Sequence, residues 1–171
     1  PLCDGAALEA LKLISKWLKV AFDEPENINA RGGMLIGSCF AGVAFMKGLG
    51  LVHSISHMIG AEYNTQHGLT NAIILPPVMR FNLPHVGEKV EFISDAMYLK
   101  EASSDLVVKE IEKILDYVDI PRSLSEIGIP LECKKRIAEK AMLDSATGTN
   151  PRVAQIEDVE ELTKISIISA R

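Results

Sequence analysis

The sequence predicts an all-α fold, a helical bundle of about eight helices, from two observations. Apolar residues recur at every third or fourth position almost throughout the 171 residues, which is the period of an α-helix. The only strand-like run, residues 72–75, is short, and no internal repeat, low-complexity segment or linker interrupts the helical pattern. We therefore expect a single helical domain over residues 1–171.

The first two helices are predicted from their N-caps and apolar stripes. Asp4 is expected to cap the first helix, and Asn27 to cap a second helix that ends near Phe45. The stripe of the first helix consists of Ala7, Leu11, Ile14, Leu18 and Ala21. The second helix contains several glycines. Because glycine costs about 1 kcal/mol relative to alanine inside a helix, we expect close contact with a neighbouring helix and a central position in the bundle.

The remaining helices follow from the same periodicity. A third is expected over Leu51–Tyr63, and His67 begins a fourth after a turn. Pro76 and Pro77 should end or kink this fourth helix, because proline lacks an amide donor and clashes with the preceding turn. Further helices are expected over residues 86–99, 104–118, 131–143 and 159–168.

Composition argues against several classes of partner. The net charge of −5 and the pI near 5.4 disfavour nucleic acid, which needs a basic surface. No run reaches the roughly 18 consecutive apolar residues of a membrane span, and no secretory signal is visible. Cys3, Cys39 and Cys133 are far apart, which favours reduced thiols and a cytoplasmic location over a disulfide framework.

Residues 48–71 hold three of the four histidines, His53, His57 and His67, among glycines, serines and aliphatic residues. Neutral imidazole is a common ligand of divalent metals. His53 and His57 are four residues apart and share a helix face, although Ser54 excludes the HExxH motif of zinc proteases. Such a pair is often purely structural, but His67 follows a turn that returns the chain beside the third helix. The three histidines therefore form a candidate metal site.

This candidate site is incomplete on the chain as it stands. A catalytic metal usually has about three protein ligands and an open position. Glu62 should point about 140° to 180° away from the two histidines of the third helix, and is expected to be solvated. His85 lies in a loop, where a structural role is expected. Spacing alone leaves open which pair of histidines binds.

The segment GLGLVHSISHMIGAEYNTQHGLTNAIILPPVMRFN resembles the C-terminal signature of the iron-containing (group III) alcohol dehydrogenases, whose dehydroquinate synthase-like fold is shared with glycerol dehydrogenase. PLCDGAALEALKLI resembles the start of that family's helical domain, FAGVAFMKGLGLVH its central helix and turn, and LDSATGTNPR a segment near its C-terminus. The resemblance covers nearly the whole chain. Pro77 departs from it, since many relatives carry histidine there.

The resemblance implies a metal- and NAD(P)-dependent oxidoreductase whose C-terminal helical domain is this chain. In the family, Fe²⁺ or Zn²⁺ is held by an aspartate and a histidine of a DxxxH stretch and by two later histidines, which correspond to His53 and His67. His57 corresponds to a histidine near the nicotinamide and the reacting alcohol, and is the expected catalytic residue. Phe45 is the expected substrate-binding residue. The DxxxH stretch and the N-terminal α/β domain that binds NAD or NADP are absent from this chain, so the chain alone is expected to be inactive.

The implied substrates are an alcohol and the corresponding aldehyde or ketone, and the full-length protein is expected to be a homodimer. Two other interpretations stay open. One is the domain of a glycerol dehydrogenase-like zinc enzyme, and the other is a helical scaffold or dimerisation domain that has lost catalysis. An upstream DxxxH stretch and a glycine-rich phosphate loop in the parent reading frame would favour the enzyme.

Overall fold

The structure is a computed structural model that describes all residues, Pro1–Arg171. Its regular elements are eight α-helices and five short 3₁₀ turns, and it contains no strand. The helices are α1 (Leu2–Asp23), α2 (Ile28–Ala44), α3 (Leu51–Tyr63), α4 (His67–Asn82), α5 (Lys89–Ala96), α6 (Ser104–Tyr117), α7 (Lys134–Ala141) and α8 (Ile156–Ile168). The 3₁₀ turns cover Phe45–Lys47, Leu83–His85, Ser125–Ile127, Leu131–Cys133 and Ser145–Thr149. The predicted all-α bundle of about eight helices is confirmed.

The chain divides into two compact units. The first consists of Pro1–Gly48 and Val86–Glu110, and the second of Leu49–His85 and Ile111–Arg171. The first unit contains α1, α2, α5 and the start of α6, whereas the second contains α3, α4, α7 and α8. All four histidines belong to the second unit. The expectation of one domain over residues 1–171 stays a prediction.

Close packing of α1 against α2 characterises the first unit. A Cβ atom on Gly33 would lie 2.2 Å from Cδ1 of Trp17, and one on Gly37 would lie 3.2 Å from side-chain atoms of Leu13 and Ile14. A larger residue at Gly33 would therefore displace the Trp17 ring, and one at Gly37 would displace Leu13 or Ile14 slightly. The predicted close approach of a neighbouring helix is therefore confirmed at these two glycines.

The rest of α2 is more exposed than the sequence predicts. Leu35 and Ile36 are 73% and 53% exposed, so the prediction that this helix lies at the centre of the bundle is wrong. By length and composition alone, Ile28–Lys47 is the one stretch that could cross a membrane, with a mean hydropathy of 1.2. Helices that pack inside soluble domains have the same composition, and this criterion is therefore weak evidence for a span.

The hydrophobic core of the second unit is formed by α3, α4, α7 and α8. Leu51, Ile55 and Ile59 follow one another at helical spacing along α3, and all three are fully buried. His53 and His57 each follow a buried residue, Leu51 and Ile55, by two positions. Because two positions correspond to a rotation of about 200° around a helix, both histidines lie on the side of α3 away from this core. The core thus fixes α3 and leaves its opposite face for the histidines.

The start of α1 differs from the prediction. The helix begins at Leu2 with Pro1 as the N-cap, so the prediction of Asp4 as N-cap is wrong. Pro1 makes no side-chain capping hydrogen bond. Asp4 instead accepts a hydrogen bond from Lys47 Nζ at 2.5 Å. The second predicted cap is confirmed, since Asn27 Oδ1 accepts from the Ala30 amide at 3.0 Å.

The course of α4 also differs from the prediction. The helix continues through Pro76 and Pro77 to Asn82, and the strand-like run at residues 72–75 lies inside it. Ile73, Ile74 and both prolines are buried. Packing of these side chains in the core therefore outweighs the poor helix propensity of proline and the β-branched residues. Further along, the helix expected over residues 86–99 is shorter, namely α5.

Candidate metal centre

Three imidazole rings of the second unit lie close together. The ring centroids of His53 and His57 are 5.7 Å apart, and the centroid of His67 lies 5.4 Å from His53 and 5.6 Å from His57. The structure thus brings together the three histidines that the sequence marks as a candidate site.

A tight reversal between α3 and α4 places His67 beside α3. Asn64, after the last residue of α3, has a φ of 53°, a left-handed conformation that asparagine tolerates. Gln66 caps α4, and its Oε1 accepts a hydrogen bond from the Leu69 amide at 2.5 Å. His67 is therefore the first residue of α4 and faces the histidines of α3.

The Nε2 atoms of His53 and His67 point to one place. Asn71, one turn further along α4, has its Nδ2 3.4 Å from His53 Nε2 and 3.0 Å from His67 Nε2, and donates to both. The two nitrogens converge on the same point whichever way this amide is turned. Asn71 Oδ1 is buried without a hydrogen-bond partner. The two Nε2 atoms are therefore placed to offer two imidazole ligands to one cation.

The environment of His53 favours its neutral ring. Burial lowers the pKa of His53 below the ordinary histidine value, and the neighbouring charges of His67 and His57 lower it further, against a smaller opposite effect of Asp144. A neutral imidazole retains the nitrogen lone pair that a metal ion needs.

His57 contacts an acidic residue from a distant part of the chain. Its Nδ1 lies 2.9 Å from Asp144 Oδ2. Burial by itself raises the pKa of Asp144, but hydrogen bonds from the Ala146 amide and from His57 outweigh burial, and the pKa lies below its ordinary value. An ionised carboxylate can only accept hydrogen bonds, so His57 Nδ1 is the donor, and in a neutral ring Nε2 is then the nitrogen with the lone pair.

The other residues considered from sequence lie elsewhere. Glu62 is predicted to be solvated, but in the structure its carboxylate accepts hydrogen bonds from Arg136 and Lys140. His85 is exposed in the 3₁₀ turn Leu83–His85. Phe45 is 53% exposed and belongs to the first unit. No set of three or more His, Cys, Asp or Glu side chains is placed to hold a metal ion, so this chain offers two converging imidazoles and no third ligand.

Sequence reasoning missed Asn71 and Asp144. A signal for Asn71 exists, because it follows His67 by four residues on a helix and so shares its face. Asp144 is separated from His57 by 87 residues, and no local pattern joins the two. Its only mark in the sequence is its place in LDSATGTNPR, the segment that resembles the family's C-terminal region.

The match to known proteins extends over almost the whole chain. The model of the Fe-containing alcohol dehydrogenase family, C-terminal, matches residues 1–167. The chain belongs to this family. The chain spans less than half the length of the relatives described next.

Two curated members of the Fe-containing alcohol dehydrogenase family show the level of similarity. The NAD-dependent methanol dehydrogenase of Bacillus methanolicus is 36% identical over 96% of this chain and 45% of its own length. The lactaldehyde reductase of Escherichia coli (strain K12) is 38% identical over 94% of this chain and 44% of its own length. The relatives are thus named as oxidoreductases of alcohols and aldehydes.

Solved structures of the family have the same fold. A 1,3-propanediol oxidoreductase superposes with a TM-score of 0.93 at 30% identity, over 98% of this chain and 46% of its own. An alcohol dehydrogenase from Oenococcus oeni superposes with a TM-score of 0.92 at 29% identity, over 97% of this chain and 45% of its own. The resemblance to the helical domain of these enzymes is therefore confirmed.

Proposed function

We propose that this chain is the metal-binding helical domain of an NAD(P)-dependent alcohol dehydrogenase, which interconverts an alcohol and an aldehyde or ketone. The observation that carries the proposal is the convergence of His53 Nε2 and His67 Nε2 on one point, within 3.4 Å of a single atom of Asn71. Family membership supplies the reaction class. In the complete enzyme, an N-terminal α/β domain would bind NAD or NADP and supply the remaining metal ligands.

His53 and His67 would hold a divalent ion, Fe²⁺ or Zn²⁺. The neutral ring of His53 and the shared direction of the two Nε2 lone pairs fit such an ion, and imidazole binds both metals. When bound, the ion would polarise the substrate oxygen and lower the pKa of the alcohol. Hydride transfer itself is the chemistry of the nicotinamide.

His57 would handle the proton of the reaction. Its Nδ1 hydrogen is occupied by Asp144, and Nε2 retains a lone pair. The ring lies 5.7 Å from His53 and 5.6 Å from His67, centroid to centroid, and so adjoins both proposed metal ligands. His57 Nε2 would accept the hydroxyl proton when the alcohol is oxidised and return it when the aldehyde is reduced.

Substrate, assembly and location complete the proposal. The names of the relatives favour small alcohols and aldehydes, and we place Phe45 at the wall of the substrate pocket. We also propose a homodimer of the complete enzyme. The three cysteines are free thiols, which suits a cytoplasmic enzyme.

Histidine variants of the complete enzyme test the metal assignment. His53→Ala and His67→Ala should each lose the bound metal, because each removes one of a few ligands. His57→Ala should retain the metal and lose about 10²- to 10⁴-fold in turnover, the usual contribution of a general acid or base. Metal content by mass spectrometry and NAD(P)H formation from short alcohols are the two measurements.

The exposed His85 provides a matched control. His85→Ala should change neither metal content nor turnover. Full metal occupancy in His53→Ala or His67→Ala would contradict the ligand assignment. A complete protein that binds no metal and oxidises no alcohol would favour the scaffold interpretation instead.

A further inference from the structure

Asp144 is an acidic side chain that contacts the histidine cluster, through a hydrogen bond between its Oδ2 and His57 Nδ1. The Asp144 side chain is 14% exposed, and that of His57 is 36% exposed. The pair thus lies partly out of water, where a hydrogen bond to a charged group is stronger than at an open surface.

Asp144 is held in place by its own turn. Its Oδ1 accepts a hydrogen bond from the Ala146 amide at 2.8 Å and caps the 3₁₀ turn Ser145–Thr149, while Oδ2 faces His57. The two carboxylate oxygens therefore have separate partners. Neither can leave its partner without breaking a contact.

The same turn is tied to the N-terminal end of α3. Thr149 Oγ1 donates to the Leu49 carbonyl at 2.5 Å, and the Leu51 amide donates to Asn150 Oδ1 at 3.2 Å. The carboxylate of Asp144 and the helix that carries His57 are consequently fixed to each other. This arrangement is what an orienting residue requires, because its own position must be rigid.

We propose that Asp144 is a positioning residue that fixes the ring orientation and tautomer of His57, with the proton on Nδ1 and the lone pair on Nε2. Its significance for proton transfer rests on the proposed function, since Nε2 is the atom that would exchange the substrate proton. The tautomer itself is a property of this chain and requires neither metal nor cofactor.

Asp144→Asn is the sharpest test. Asparagine is as good an N-cap as aspartate and has the same size, so its Oδ1 should keep the Ala146 amide and its Nδ2 should face His57. Nδ2 can only donate, and His57 Nδ1 would have to become the acceptor. The tautomer of His57 should therefore reverse, with the proton on Nε2, as amide substitutions of this kind can impose.

Nitrogen NMR of the 171-residue chain labelled in histidine measures this directly. Spectra are recorded near pH ~8.5, about two units above the ordinary histidine pKa, where imidazole is neutral. In the unmodified chain, the His57 proton should be on Nδ1, and in Asp144→Asn on Nε2. A proton that stays on Nδ1 in Asp144→Asn would overturn the proposal.

Asp144→Ser separates the capping role from the histidine contact. Serine caps the turn equally well but is too short to reach His57, so the fold should persist and His57 should become a mixture of both tautomers. A His57 tautomer unchanged in this variant would also overturn the proposal. In the complete enzyme, both variants should lower kcat roughly tenfold to a hundredfold with KM and metal content unchanged.

The two readouts distinguish the failure of this proposal from failure of the proposed function. If the tautomer reverses but the complete enzyme binds no metal, Asp144 positions His57 and the dehydrogenase assignment is lost. If metal and turnover depend on the histidines but the tautomer does not respond to Asp144, only the positioning role is lost.

Discussion

Asn71 and Asp144 act on the histidines in opposite ways. The amide of Asn71 donates to Nε2 of His53 and of His67, while the carboxylate of Asp144 accepts from Nδ1 of His57. With the Asn71 amide in this orientation, each contact favours the neutral ring that has its proton on Nδ1 and its lone pair on Nε2.

Glu62 is the residue whose charge should matter for stability. Its carboxylate lies 2.8 Å from Arg136 Nη2 and 2.6 Å from Lys140 Nζ, and hydrogen bonds from Arg136 and then Lys140 lower its pKa from 4.5 to about 2. Because the pKa is lower in the folded state, this contribution is fully present above pH 4.5 and is lost as the pH falls toward about 2.

Glu62→Gln should accordingly lower the free energy of unfolding by about 1 kcal/mol near neutral pH, since the side chain is only partly shielded from water. The difference from the unmodified chain should shrink below the ordinary glutamate pKa. Urea unfolding near pH ~7 and pH ~3.5 measures it. Glu139→Gln, an exposed position of α7, is the matched control. A difference that is the same at both pH values would exclude the ion pairs as its cause.

At the scale of elements, α3 has two faces with separate tasks. Leu51, Ile55 and Ile59 anchor it in the core, and His53 and His57 project from the opposite side. At the N-terminal end of the helix, the Leu51 amide donates a hydrogen bond to Asn150 Oδ1, next to the turn that follows Asp144. A displacement of this helix would therefore move both histidines together. The core packing that holds α3 in place thus also holds the two histidines in place.

The packing of α1 against α2 provides an element-scale prediction. Gly33→Ala should lower the free energy of unfolding by about 1–3 kcal/mol, because the new Cβ would overlap the ring of Trp17. Gly32→Ala adds a Cβ atom at the neighbouring position, where it would meet no atom of a packed residue within 4 Å. This substitution should raise the free energy of unfolding by about 0.5–1 kcal/mol, because alanine has the higher helix propensity. Thermal unfolding of both variants compares them. Equal effects of the two substitutions would show that Trp17 does not limit the space.

At the scale of the whole molecule, local signals predicted most of the fold. Asn27 caps its helix as expected because the cap depends only on residues within one turn. The bounds of α3 also agree, since Gly50 and Asn64 mark its ends locally. The course of α4 through Pro76 and Pro77 could not be predicted in this way, because burial among distant residues decides it.

The site was predictable to a similar extent. His53, His57 and His67 lie within one short segment, and helix periodicity with one turn was sufficient to bring them together. The contact between Asp144 and His57 depends on the tertiary fold across 87 residues. No third His, Cys, Asp or Glu side chain of this chain is placed to join His53 and His67 as a metal ligand.

The central claim is that His53 and His67 bind one metal ion, and anomalous diffraction at the zinc edge tests it most directly. Crystals of the complete enzyme loaded with Zn²⁺ should show one anomalous peak about 2.0–2.1 Å from Nε2 of both residues. A peak that contacts only one of the two rings, or that lies away from both, would contradict the account.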